Sequence, residues 1–143
     1  MFKFTKSNGI KIELTESQYL QLSSKDKINA ALADSKVVAY DISLENELVG
    51  FAMLHNCDNG WFLWNYAIDL KFQNQHYGQK DLHELCEFLK SKYNAKWITT
   101  TYKYGNEIDQ RMYEKVGFVQ TDIINENGIH EVNMIMNLFK TEQ

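Results

Sequence analysis

Phe72 to Lys90 reads FQNQHYGQKDLHELCEFLK, a polar loop carrying Gly78 that runs straight into an amphipathic helix. Leu82, Leu85, Cys86 and Leu89 recur at i, i+3, i+4 and i+7, the single apolar stripe of a helix lying on a flat surface. Immediately upstream, Trp61 to Leu70 reads as a strand. Strand, tight polar loop and helix in that order have the geometry of an anion site. The first amides of a helix lack intrahelical partners and its dipole leaves partial positive charge there. A phosphate or pyrophosphate set against residues 74 to 79 is therefore held mainly by backbone. Gly78 allows close backbone approach, and Lys71 and Lys80 flank the loop.

Downstream of this unit, Lys96 to Lys103 (KWITTTYK) is rich in β-branched and aromatic residues and reads as a strand. A right-handed crossover makes it parallel to Trp61–Leu70. Asn106 caps the next helix, in which Ile108, Met112 and Val116 form the expected core side, and Gly117 ends it. Tyr113 lies beside that stripe and is expected to point away from it. Phe118–Ile124 and His130–Leu138 form a closing hairpin across Asn127-Gly128, with Val132, Met134, Met136 and Leu138 alternating inward.

Upstream, Lys36–Ser43 and Leu48–Asn56 read as a hairpin turned by Glu45 and Asn46, and a second turn at Cys57–Gly60 leads into Trp61–Leu70. Thr15 to Ser35 is helical in pattern, with Thr15 as N-cap and an interruption at Ser23 and Ser24 that predicts two short helices. Phe2 to Leu14 is either an edge hairpin around Ser7, Asn8 and Gly9 or one strand with a ragged end.

The totals bound what this chain does. Its 143 residues suit one domain, taken as 1–143, with a real core. Hydrophobic content of 44% with 24% charged is ordinary globular composition, and no apolar run approaches the ~20 residues of a membrane span. The start, MFKFTKSNGIKIEL, has no apolar signal core, so a cytoplasmic chain is expected. A net charge of −4 argues against a nucleic-acid partner and mildly favours a cationic substrate. Cys57 and Cys86 match no metal-ligand spacing and are expected to be free thiols. The four histidines form no i, i+4 pair, so no metal site is expected.

These residues carry a family resemblance. The order of strands and helices from about Val37 to Leu138 resembles the GNAT superfamily of acyl-CoA-dependent N-acetyltransferases. IDLKFQNQHYG, from Ile68 to Gly78, resembles the family's acyl-CoA loop, Gln/Arg-x-x-Gly-x-Gly/Ala, with Gln73 and Gly78 in place. Asn106, Tyr113 and Gly117-Phe118 match a second family signature, an Asn with a Tyr seven residues on, then Tyr-x-x-x-Gly-Phe. Within the superfamily, AYDISLENELVGFAML and the spacing onward look most like the bacterial spermine/spermidine acetyltransferase group.

The resemblance implies a mixed α/β fold, a mostly antiparallel sheet with one splayed parallel pair and flanking helices. It implies acetyl-CoA as cosubstrate and direct transfer of its acetyl group to a primary amine, most simply a small cationic amine such as a polyamine. The pantetheine arm is expected along the backbone of Tyr66, Ala67 and Ile68, and the pyrophosphate at Gln73, Asn74, Gln75, His76, Tyr77, Gly78 and Gln79. Asn106 is expected to contact the pantetheine and Tyr113 to protonate the leaving thiolate. A phenol of unperturbed pKa about 10 is protonated at neutral pH and suits that role. Other readings are a protein or peptide N-acetyltransferase and an acyl-CoA-binding domain without turnover. A shared sheet edge in the last hairpin offers a route to a homodimer.

Two departures from the family pattern stand out. His76 occupies the position of the loop's first glycine, where a Cβ and a ring meet a region of close backbone approach. Trp64 stands where polyamine acetyltransferases carry the carboxylate that receives the amine's proton, with Asn65 beside it. Strand alternation places Trp64 on one face with Phe62 and Tyr66, which predicts a core residue. The charge for a polyamine then has to come from Asp41, Glu47, Asp58 or Glu131, and deprotonation from water, Tyr102, Tyr104 or His130.

Overall fold

A computed structural model describes residues 1–73, 75 and 77–139. The elements run β1 (Phe2–Lys6), α1 (Glu16–Gln21), α2 (Lys25–Leu32), β2 (Val37–Leu44), β3 (Glu47–Asn56), β4 (Gly60–Ile68), a 3-10 turn at Leu70–Phe72, α3 (Tyr77–Tyr93), β5 (Trp97–Lys103), α4 (Glu107–Val116), β6 (Val119–Glu126) and β7 (Ile129–Asn137). They build one seven-stranded sheet in the order β1-β2-β3-β4-β5-β7-β6. All neighbours are antiparallel except β4 and β5, the pair joined through α3. Among the described residues no helix is long and apolar enough to cross a membrane.

Each face of the sheet carries its own core. On one, α3 buries the stripe of Leu82, Leu85, Cys86 and Leu89 against β-strand residues such as Ala52, Leu54 and Ile98. Burial of each such leucine contributes about 1.5–3 kcal/mol. On the other, Ile28 of α2 and Ile12 and Leu14 of the preceding segment cover Phe51, Met53 and Ala67. Alternation along β3 explains the division, since Phe51 and Met53 face one way and Ala52 and Leu54 the other.

Local signals set most element ends. Thr15 and Gln18 form a capping box at α1, Ser24 caps α2, and Asn106 accepts from the Asp109 amide at the start of α4. Glu45-Asn46 and Asn127-Gly128 adopt positive φ throughout, the geometry that matches a two-residue turn to strand twist. Gly117 ends α4 at φ 125°, with its N–H donating to the Tyr113 and Glu114 carbonyls.

Of the two readings of the amino-terminal segment the single strand holds, as β1 paired with β2. Two other expectations need correction. β4 stops at Ile68 because the Asp69 carboxylate accepts from the Lys71 and Glu13 amides and starts the turn at Leu70. In α4 the buried residue is Tyr113, at 5% exposure, whereas Ile108 is 80% exposed. The apolar stripe is covered at Met112 and Val116, which are partly buried against the core.

Candidate active site

The parallel ladder is short. Gly60 to Leu63 of β4 pair with Trp97 to Thr100 of β5, and there the pairing ends. Beyond it β4 follows β3 as far as Ile68, while β5 follows β7 as far as Lys103. The strands therefore diverge, and a cleft of about 290 Å³ opens between them, lined among others by Phe62, Trp64, Tyr66, Tyr102, Asp109 and Tyr113.

A bulge in β4 starts this divergence. Met53 pairs with Asn65 and Leu54 with Leu63, which leaves Trp64 as the extra residue. The bulge reverses the alternation: Trp61 and Leu63 lie in the α3-side core, while beyond it Ala67 faces the opposite one. Tyr66 consequently packs on the α3 side, away from Phe62 and Trp64. Trp64 is not a core residue, as strand alternation predicts, but is 42% exposed at the cleft with its ring 6.4 Å from Phe62. Asn65, 3% exposed, accepts from the Ser23 amide at 3.0 Å and donates to the Ser23 hydroxyl at 3.4 Å. That clamp holds the α1–α2 junction, with Leu22 and Ser23, against the cleft.

Tyr113 lies at the closed end. Its ring stacks on Tyr102 at 6.3 Å and meets Phe118 edge-on at 5.4 Å. Burial, with a smaller push from the Asp109 carboxylate, raises the phenol above its ordinary pKa, against a weaker opposing effect of the Thr100 hydroxyl. Tyr113 thus stays protonated across the physiological range. Asp109 is itself raised by burial. Both amide atoms of Asn106 are bound to it, Oδ1 accepting from the Asp109 N–H at 3.1 Å and Nδ2 donating to Oδ2 at 3.0 Å.

At the open end, α3 begins with Tyr77 and has no acidic residue in its first turn. Gly78 provides space: a Cβ there would meet Met112 Sδ at 3.2 Å and Ile68 Cγ1 at 3.6 Å, so the glycine lets α3 pack on α4. Gln73 turns inward, donating to the Ile68 carbonyl at 3.1 Å and to the side chain of Gln18. Gln75 is exposed and donates to the Lys71 carbonyl. Gln79 lies in a second groove of about 220 Å³ with Lys80, His83 and Lys115. Asn74 and His76 lie outside the described residues.

Of the acidic residues named for a cationic substrate, Glu131 lines the cleft. Asp41 does not, being paired with Lys11 at 2.9 Å on β2, which β3 separates from β4, while Glu47 begins β3 and Asp58 sits in the turn that follows it. Tyr102 lines the cleft, whereas Tyr104 and His130 stack on each other at 3.9 Å and do not. Sequence reasoning missed Asp109, Phe62 and Ser23. Asp109 was discoverable, because a residue four before Tyr113 shares its helix face.

Comparison with known proteins agrees with this geometry. Residues 8–118 match the model of the acetyltransferase (GNAT) family. No curated protein sequence matches the chain. A Bacillus subtilis acetyltransferase solved in complex with CoA is similar in fold, with 21% identity and a TM-score of 0.73 over 97% of this chain and 100% of that one. An Elizabethkingia anophelis GNAT family acetyltransferase with acetyl-CoA bound is 23% identical, with a TM-score of 0.72 over 95% and 97% of the two chains. A point mutant of the spermidine N-acetyltransferase SpeG from Vibrio cholerae is 14% identical, with a TM-score of 0.69 over 80% and 73%.

Proposed function

Because the chain belongs to the acetyltransferase (GNAT) family, we propose that it transfers an acetyl group from acetyl-CoA to the primary amine of a small cationic acceptor in the cytoplasm. The observation that carries this reading is the divergence of β4 from β5 at Leu63 and Thr100, with the protonated phenol of Tyr113 buried beside Thr100.

The residues suit acetyl-CoA. Beyond Leu63 the edge of β4 is free of β5, and the backbone of Tyr66, Ala67 and Ile68 is offered to an extended pantetheine arm. The Ala67 carbonyl faces Gly50 of β3 and the Ile68 carbonyl already accepts from Gln18 and Gln73, so Tyr66 carries most of that pairing. Pyrophosphate is assigned to the loop from Gln73 to Gln79, where first-turn amides of α3 meet no competing acid. Lys80 and Lys115, in the groove beside Gln79, add positive charge for the cosubstrate's phosphates.

In the cleft the enzyme aligns reactants and handles two protons. Tyr113 donates its proton to sulfur as the C–S bond breaks, and regains one from solvent. Glu131, through a water, takes the proton lost by the amine as its nitrogen bonds to the acetyl carbon. Asn106 orients Asp109 and holds the start of α4 against the arm.

Trp64 and Phe62 form an aromatic wall at the acceptor end, and Glu131 and Asp109 supply negative charge. Such a combination holds an ammonium by cation–π contact and charge pairing. A cleft of 290 Å³ suits a compact amine better than a folded protein surface. The polyamine group is the specific assignment we favour, as a spermidine acetyltransferase shares the fold. β6 is an edge strand with Val119 and Ile123 exposed, and pairing of two copies along it is our expectation for assembly.

Thiol release from acetyl-CoA over a panel of polyamines, aromatic amines and peptides, with calorimetric titration of acetyl-CoA, tests the reading. Micromolar binding and turnover on small cationic amines are expected. Turnover confined to peptides would replace the acceptor, and binding without turnover on any amine would make the domain an acyl-CoA binder.

A further inference from the structure

The segment from Glu13 to Ser23 runs beside the far half of β4 in the opposite sense and is tied there at three levels. At one end the Leu70 N–H donates to the Glu13 carbonyl at 2.8 Å, and the Glu13 N–H donates to the Asp69 carboxylate at 2.9 Å. In the middle the Gln18 side chain donates to the Ile68 carbonyl at 3.3 Å. At the other end Asn65 holds the amide and the hydroxyl of Ser23. This strap therefore starts beside the turn that leads into the loop assigned to pyrophosphate. It finishes, at Leu22 and Ser23, in the wall of the cleft.

Gln18 joins the strap to the loop. Its Oε1 accepts from the Thr15 N–H at 3.0 Å, closing the capping box of α1, and accepts also from Nε2 of Gln73. That nitrogen carries two hydrogens, and the second goes to the Ile68 carbonyl at 3.1 Å. Both Gln73 donors are thus used on the strap and the strand, and neither is left for a phosphate. The Ile68 carbonyl, with two lone pairs, is filled by Gln18 and Gln73 together.

α1 depends on such contacts. Its six residues make fewer than two turns, and a helix that short keeps its place through caps and tertiary contacts rather than by its own propensity. Tyr19 within it is 50% exposed. The cap shared with Gln73 at the start and the Ser23 clamp just past the end therefore fix where α1 lies. Thr15, Gln18, Gln73 and Asn65 carry no titratable group, so this link does not change with pH.

We propose that Gln18 is a positioning residue that couples the two substrate sites: acetyl-CoA, by fixing the loop that carries Gln73, fixes α1 through Gln18 and sets Leu22 and Ser23 for the amine. The inference rests on the acetyl-CoA reading above. Linkage makes the coupling reciprocal, so an amine seated against Leu22 and Ser23 strengthens binding at the loop by the same factor.

The test uses the full chain with free CoA, which carries the loop-binding groups and has no acetyl group to transfer. In hydrogen–deuterium exchange at saturating CoA, the amides of Tyr19, Leu22 and Ser23 should exchange at least about tenfold more slowly than in the free protein. In calorimetry, spermidine should bind the CoA-loaded protein about 5-fold or more tightly than the free protein. Gln73→Leu leaves the Thr15–Gln18 capping box and removes the link. It should still bind CoA through the loop amides, and both effects should vanish. Gln18→Glu keeps acceptor oxygens for Thr15 and Gln73 and should retain both effects, which separates the link from the cap. Its carboxylate adds negative charge near the phosphates, so that variant is compared at saturation. The coupling is overturned by protection that persists in Gln73→Leu, by protection lost in Gln18→Glu, or by wild type that binds CoA without protecting α1. If spermidine binds neither form, the acceptor assignment falls, while exchange still decides the link from loop to α1. If wild type binds no CoA, the acetyl-CoA reading falls and the coupling with it.

Discussion

The hydroxyl of Thr100 donates to the carbonyl of Leu63 across 3.1 Å, between the two residues that form the last rung of the parallel ladder. A side chain thus caps the ladder where the strands part, and the same Thr100 stands beside the Tyr113 phenol. The closed end of the cleft and the proposed acid are therefore built from one buried threonine, and their spacing is set by the sheet.

Tyr113→Phe removes that acid while leaving the packing against Tyr102 and Phe118. We expect kcat to fall about 100-fold with little change in acetyl-CoA binding. Steady-state thiol release alongside calorimetry measures the two separately. Since burial raises the phenol, the wild-type rate should show no loss from Tyr113 titration near pH 9.

Trp64→Ala opens the acceptor end without touching β5. The KM for a cationic amine should rise about 3- to 30-fold, the range expected for one cation–π contact, while acetyl-CoA binding stays constant. An unchanged amine KM in initial-rate assays would remove Trp64 from the acceptor wall.

Asn65→Ala leaves the Ser23 amide without its acceptor. A loss of about 1–3 kcal/mol in urea unfolding is expected, because an unsatisfied part-buried donor keeps its desolvation cost. Release of the α1–α2 junction should also raise the amine KM more than the acetyl-CoA KM.

Gly117→Ala introduces a Cβ at φ 125°, where it would meet Met136 Sδ at 3.0 Å. The backbone strain and the contact together should cost about 1–3 kcal/mol, read from denaturant melts. Far-ultraviolet spectra should remain unchanged, as the strain is confined to the end of α4.

The sequence by itself determined the elements and their order. The α3 stripe, the Thr15 and Asn106 caps, the break at Ser23-Ser24 and the turns at Glu45-Asn46 and Asn127-Gly128 were all legible, because each rests on residues within a few positions of one another. The signature residues Asn106, Tyr113 and Gly117 were legible for the same reason. What only the tertiary structure decided are relations between elements. A one-residue bulge against β3 moved Trp64 from a core face to the cleft, and no periodicity within β4 reports on its partner strand. The burial of Tyr113 and the exposure of Ile108 depend on which side of α4 meets the core. Gln18 reads as part of the α1 cap, and its bond to Gln73 follows from the course of the strap along β4, a contact between residues 55 positions apart that local sequence does not encode.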